Sequence, residues 1–327
     1  MARSDLLISL LRAGATGNDA LFRRAAEALI AEERSRNHSI LADQLAVELD
    51  RRPPATQNGG ATTATIASPS DFFTERIPRK RLTDLVLDPS VLDQITEVVE
   101  EQHRAEILRA HNVEPRHRIL LTGPPGNGKT SLAEALATEL MVPFCSVRYD
   151  SVIGSYLGET TTRLKRLFDY FRHRPSVLFF DEFDTLGKER GDTHDTGEIK
   201  RVVSSLLLQI DELPPYVCVV TATNHPELLD RAVWRRFQLR LDLRPPTAPQ
   251  RAEFLRRLAE RMDLSLSVSP MALATTLGKS SYSELEQFLV DVARRYVLGL
   301  PDSNLSRIVK SRLIQWRLRA KSPTNHK

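Results

Sequence analysis

No apolar run in this sequence approaches the roughly 18 residues that a membrane-crossing helix needs, so no membrane span is expected. The short run Leu6-Leu7-Ile8-Ser9-Leu10-Leu11 follows Asp5 and ends at Arg12, which reads as a helix face in preference to a signal peptide. Cysteine is scarce, with Cys145 and Cys218 the only two, each in or beside an apolar, strand-like run. Buried free thiols in a reducing cytoplasm are expected, and a disulfide framework is excluded. No His/Cys/Asp grouping has metal-ligand spacing, which argues against structural zinc. Charge of one sign is also in short supply, the net value being +4. Most of it sits near the end, where Arg307, Lys310, Arg312, Arg317, Arg319, Lys321 and Lys327 face a single Asp302. The rest is slightly acidic, so a global nucleic-acid-binding charge is excluded. The basic stretch reads as the solvated face of a last helix, in preference to a nucleic-acid or anionic-lipid patch.

What remains is ordinary for a globular protein with a real core: 327 residues, 41% hydrophobic and 27% charged. Two or three units are the prior for this length. Leu6, Leu7, Leu10 and Leu11, then Leu21, Phe22, Ala25, Leu29 and Ile30, then Ile40, Leu41, Leu45 and Leu49 recur at helical spacing. They predict a helical module over residues 1–52, too small to be catalytic by itself. From Pro53-Pro54 to Ser70 the sequence is rich in Pro, Gly, Asn, Ala, Thr and Ser, the signature of a flexible linker over 53–70.

Strand-like runs at Ile119–Leu121, Phe144–Val147, Val177–Phe180, Val217–Val220 and Leu239–Leu243 alternate with helical segments. This predicts an α/β unit over 71–245, a parallel sheet covered by helices on both faces. After Pro245-Pro246 only helical patterns follow, near Ala248–Arg261, Met271–Leu277, Tyr282–Leu298 and Ser306–Arg319. Residues 246–327 therefore read as a small helical lid with a basic C-terminus.

Gly123-Pro124-Pro125-Gly126-Asn127-Gly128-Lys129-Thr130 fits G-x-x-x-x-G-K-[ST], with a strand before it and a helix from Ser131 after it. Such a loop closes around phosphate with its N–H groups inward, helped by the helix N-terminus. Lys129 is expected on the β- and γ-phosphates of ATP, and the Thr130 hydroxyl on Mg²⁺. Val177-Leu178-Phe179-Phe180 is a fully apolar strand that delivers Asp181 and Glu182 at its C-terminal end, where open parallel sheets place ligands. With the phosphate loop expected one strand earlier in the same sheet, Asp181 would position Mg²⁺ and Glu182 would polarise the attacking water.

With these two sites the chain resembles the AAA+ ATPases, specifically the protein-remodelling branch that includes spastin, katanin and the membrane-bound AAA proteases. The resemblance runs from about Arg81 to Ala320 and implies a P-loop NTPase fold. Thr221-Ala222-Thr223-Asn224 looks like the family's sensor-1 strand, implying that Asn224 orients water against the γ-phosphate. Taken alone, Asn224 is equally a turn cap before Pro226. The segment from Leu229 to Phe237 resembles the arginine-finger segment, implying that Arg235 and Arg236 reach a neighbouring subunit's ATP. Ser155-Tyr156-Leu157-Gly158-Glu159 resembles the first pore loop. The implication is that Tyr156, with Leu157 and a sharp bend at Gly158, grips an extended polypeptide. The alternative is a tyrosine packed beneath a loop. Ser281-Tyr282-Ser283-Glu284-Leu285 looks like the family's Ser-Gly-Ala-Asp-Leu stretch but departs at Tyr282, Ser283 and Glu284. No sensor-2 arginine is evident, as in that branch. The N-terminal module is faintly similar to bacterial AAA ATPases encoded beside subtilisin-like serine proteases, implying a protease or adaptor partner.

The reading is a cytoplasmic ATP-dependent remodeller or unfoldase acting on polypeptide as a homo-oligomeric ring of six. Its rivals are a nucleic-acid-associated ATPase of the helicase-loader type, using the basic C-terminus, and an ATP-dependent assembly switch.

Overall fold

The computed structural model describes residues 26, 28–30, 69–153, 157–186 and 196–321. The chain divides into two compact units, Met1–Ile66 and Ala67–Lys327. In the first, residues 26 and 28–30 are helical. The rest of the expected helical module lies outside the described residues. So does the expected linker, except that Pro69 and Ser70 open a 3-10 turn, Pro69–Phe72.

The second unit begins with β1 (Phe73–Arg76), α1 (Pro89–His103), α2 (Ala105–Ala110), β2 (Arg118–Thr122) and α3 (Lys129–Glu139). It continues with β3 (Phe144–Val147), α4 (Tyr149–Val152), α5 (Leu157–Phe171), β4 (Ser176–Phe180) and α6 (Thr196–Asp211). Then come β5 (Val217–Thr223), α7 (Arg231–Arg236) and β6 (Leu239–Asp242). Four helices follow: α8 (Ala248–Arg261), α9 (Pro270–Leu277), α10 (Tyr282–Val297) and α11 (Leu305–Lys321).

The strands form one six-stranded sheet in the order β1-β3-β4-β5-β2-β6. From β3 to β6 every neighbouring pair is parallel. The five expected strands thus form the expected parallel sheet, and β1, a strand not expected from the sequence, is added at its edge, antiparallel against β3 with Phe73 facing Val147. This edge strand reads Phe-Thr-Glu-Arg, and all but Phe73 are exposed, so it lacks the apolar run that marks the others. One correction concerns neighbours: β5 stands between β2 and β4, so the strand carrying Asp181 is not next to the one carrying the phosphate loop.

The central strands are apolar because both of their faces are covered. Ile119, Leu121, Val177, Phe179, Cys218 and Val220 face one core, while Leu120, Leu178, Phe180, Val217 and Val219 face the other. Each such side chain contributes about 1.5–3 kcal/mol by leaving water, which fixes the register against a one-residue slip. Cys145 and Cys218 are buried free thiols in opposite cores, and burial pushes both up to about 12.

Asp88 caps α1, accepting from the Ser90 N–H at 3.0 Å, with Pro89 in the first turn. The last four helices bury a core of their own, including Leu255, Leu273, Leu285, Phe288, Val292 and Val309. Phe288 meets Trp316 of α11 edge-on at 5.9 Å. Among the described residues no helix is long and apolar enough to cross a membrane.

Candidate nucleotide site

The loop between β2 and α3 turns on glycine. Gly123 has φ +129°, and a Cβ there would sit 2.3 Å from the Leu243 carbonyl oxygen, so no other residue fits without moving the backbone. Gly126 has φ +77°, and a Cβ would press on Ser281 and Ser283. The helix then starts at Lys129, two residues before the expected Ser131, because Gly128 already turns the chain into it.

Lys129 is buried, and its ammonium donates to the Gly123 carbonyl at 2.6 Å, the Pro124 carbonyl at 3.0 Å and Asn224 Oδ1 at 2.7 Å. Burial holds its pKa below the ordinary lysine range, while Asp181 and Asp184 act in the opposite direction. Asn127 is buried too and anchors the loop by donating to the Leu243 carbonyl at 3.3 Å.

At the end of β4, Asp181 Oδ2 accepts from the Thr130 hydroxyl at 3.2 Å, and Asp181 Oδ1 accepts from the Glu182 N–H at 3.0 Å. Glu182 has φ +48°, a left-handed backbone that costs a residue with a Cβ about 1–2 kcal/mol and turns the chain away from the strand direction. Buried Asp184 accepts from the Thr223 hydroxyl at 2.8 Å, tying the turn after β4 to the end of β5.

These groups open on a cleft of about 410 Å³, the size of a small-molecule site. Pro125 to Ser131, Asp181, Glu182 and Asn224, all singled out from the sequence, line it. Gly123 and Pro124 contribute their carbonyls to Lys129 from beside it. A paired hydroxyl and carboxylate, Thr130 and Asp181, is a hard-oxygen set of the kind that suits Mg²⁺.

The opposing wall comes from residues that were not singled out as site residues. Leu85, Val86 and Leu87 precede α1, and Phe254, Arg261, Tyr282, Ser283 and Glu286 come from α8 and α10. The Ser283 N–H donates to the Gly126 carbonyl at 3.1 Å, so α10 rests directly on the phosphate loop. The Ser281–Glu284 capping box holds that helix end in place. Asp184 had a sequence signal, a third carboxylate two residues beyond the acidic pair. Of the wall residues, Tyr282 and Ser283 lie in the stretch that resembles the family's Ser-Gly-Ala-Asp-Leu, whereas the others carry no local pattern, since the cleft is shared by distant segments.

Arg235 and Arg236 lie at the end of α7, both exposed and outside this cleft. They differ: Arg236 pairs with Asp211, which also takes Arg118, whereas Arg235 makes no ion pair among the described residues. Tyr156 lies outside the described residues. Leu157 and Gly158 belong to the first turn of α5, so the expected sharp bend at Gly158 is replaced by helix.

The ATPase family associated with various cellular activities (AAA) matches residues 119–245. The chain is 35% identical over 302 residues to an uncharacterized AAA family ATPase, y4kL, of Sinorhizobium fredii, covering 91% of this chain and 90% of that protein. It is 32% identical over 195 residues to the proteasome-activating nucleotidase of Methanocella arvoryzae, 58% of this chain and 47% of that one. Against the ATP-dependent zinc metalloprotease FtsH 3 of Sphaerobacter thermophilus the identity is 34% over 206 residues, 62% of this chain and 42% of the relative. The chain thus spans less than half the length of the last two. Similarity along nearly the whole of the first, together with a glycine loop that grips its own lysine beside an acidic strand end, places this chain in the AAA family of ATPases.

Proposed function

We propose that this ATPase is a protein remodeller or unfoldase working as a ring, with each ATP site completed by an arginine of the neighbouring copy. The observation that carries the chemistry is the convergence on one cleft of Lys129 and Thr130 from the start of α3, Asp181 and Glu182 from the end of β4, and Asn224 from the end of β5. Lys129 exchanges its loop carbonyls for the β- and γ-phosphates. Thr130 and Asp181 would hold Mg²⁺, which would neutralise charge developing on the phosphates. Glu182 takes a proton from the attacking water, and Asn224 orients that water. Arg235, unpaired in its own chain among the described residues, is the better placed of the two arginines to reach a neighbour. The remodelling role is supported by the relatives, one named for activating a proteasome and another an ATP-dependent metalloprotease. Polypeptide is the substrate of this reading. The N-terminal unit would engage a protease or adaptor.

The test pairs two variants and two candidate clients. Glu182→Gln is expected to bind ATP normally and hydrolyse it at least ~100-fold more slowly, while Lys129→Ala loses binding. ATPase activity of the wild-type chain is expected to rise with an unfolded, casein-like protein and not with DNA. Equal loss of binding in both variants would overturn the chemical assignment, and stimulation by DNA alone would overturn the remodelling role.

A further inference from the structure

Tyr282 spans the cleft. It opens α10, and its hydroxyl donates to the Val86 carbonyl at 2.7 Å, joining the helical end of the chain to the segment that precedes α1. Its ring packs on Phe254 of α8 with centroids 5.0 Å apart. The neighbouring carbonyls of that segment are already engaged: Arg257 donates to Thr83 at 2.7 Å and to Leu85 at 3.3 Å. Val86 is therefore the carbonyl whose partner comes from within the cleft lining. Burial pushes the Tyr282 phenol up to about 12, so it stays a neutral donor at every working pH.

A nucleotide has one highly charged end and one flat, largely apolar end. The charged end belongs with Lys129 and Thr130. Leu85, Val86, Leu87, Phe254 and Tyr282 make up the apolar part of the same cleft and suit the base. Within that part the Val86 carbonyl accepts hydrogen bonds and cannot donate them. The 6-amino group of adenine can replace the phenol there. The 6-carbonyl of guanine, presented in the same orientation, would meet it lone pair to lone pair.

We propose that Tyr282 is a specificity-determining residue whose hydroxyl competes with the amino group of the base for the Val86 carbonyl. This inference rests on the reading of the cleft as the ATP site. Binding of the base breaks the Tyr282–Val86 bond, so the affinity of the wild-type chain for adenine nucleotides is held below what the cleft alone would give. The same exchange loosens the first turn of α10, which rests on Gly126 through the Ser283 N–H. Occupancy of the base site is thereby coupled to the seating of the helical end on the phosphate loop.

The experiment titrates non-hydrolysable ATP and GTP analogues into wild type, Tyr282→Phe and Lys129→Ala, following binding by calorimetry. Tyr282→Phe keeps the ring and its contact with Phe254 while removing the competitor. It is expected to bind the ATP analogue roughly 3- to 10-fold more tightly, the worth of one neutral hydrogen bond, with the GTP analogue unchanged. Lys129→Ala is expected to weaken both analogues alike. If Lys129→Ala weakens both and Tyr282→Phe binds ATP as wild type does, or more weakly, the competition is disproved while the site reading stands. If Lys129→Ala binds both analogues normally, the site reading fails and this inference with it. A melting temperature for each variant without nucleotide separates these effects from loss of fold.

Discussion

The ammonium of Lys129 lies 2.7 Å from Oδ1 of Asn224, so the end of β5 holds the cation of the loop that follows β2. The pair is possible because β5 is inserted between β2 and β4, which puts Asn224 between the phosphate loop and the acidic pair. In this position Asn224 accepts from the lysine through its oxygen and keeps its amide N–H groups for water or phosphate. Asn224→Ala should therefore leave ATP affinity within a few-fold of wild type while lowering kcat by roughly 10- to 100-fold. Direct nucleotide binding measured beside steady-state hydrolysis separates the two. A variant that loses affinity and rate in equal proportion would show that Asn224 only tethers the lysine.

The two arginines at the end of α7 should differ in kind. Arg236 pairs with Asp211, and its half-exposed side chain makes the bond worth no more than about 1 kcal/mol. Arg236→Ala is expected to lower the melting temperature slightly. Arg235→Ala should leave melting unchanged and abolish most hydrolysis, because its effect falls on a neighbouring copy. Mixing Arg235→Ala with Lys129→Ala chains should recover part of the activity, since some interfaces then join an intact phosphate loop to an intact arginine. Specific activity of wild type should also rise with protein concentration. Activity that is constant per chain under conditions where sedimentation shows monomer would end the shared-site proposal.

Much of this architecture was legible in the sequence, for identifiable reasons. β3 and α8 run over the residues expected, because a doubly buried strand is a continuous apolar run and an amphipathic helix repeats every 3.6 residues. Lys129, Thr130, Asp181 and Glu182 stood out in the sequence because a phosphate-binding loop and an acidic strand end need those types at that spacing, and the fold brings all four to one cleft. The antiparallel β1 was not legible, since three of its four residues are polar and exposed. Neither was the order of strands, which depends on crossovers that local pattern does not encode. Tyr282 and Val86 meet across 196 positions, so the bond between them becomes visible only once the fold brings α10 onto the phosphate loop.

His117 immediately precedes β2, and its pH behaviour can be read from its surroundings. The residue is 6% exposed, its Nδ1 lies 3.3 Å from the Pro115 carbonyl, and its buried Nε2 has no hydrogen-bond partner among the described residues. Burial lowers its pKa below 6.5, with Arg118 adding to the effect and the Pro115 carbonyl, Glu114 and Asp211 opposing it. Because the folded pKa lies below the unfolded one, the unfolded chain takes up the proton first as pH falls. Stability is therefore full above about pH 6.5 and declines below it, by at most about 1.4 kcal/mol per pH unit, until the folded pKa is passed. His117→Leu removes the titration and leaves an apolar group in a site where Nε2 had no partner. The fall in melting temperature from pH 7.5 to pH 5.5 should be smaller for this variant than for wild type. Carboxylates contribute to that fall in both proteins and cancel in the comparison. An identical fall in the two would mean that His117 is protonated equally in the folded and unfolded states, and that its burial carries no penalty.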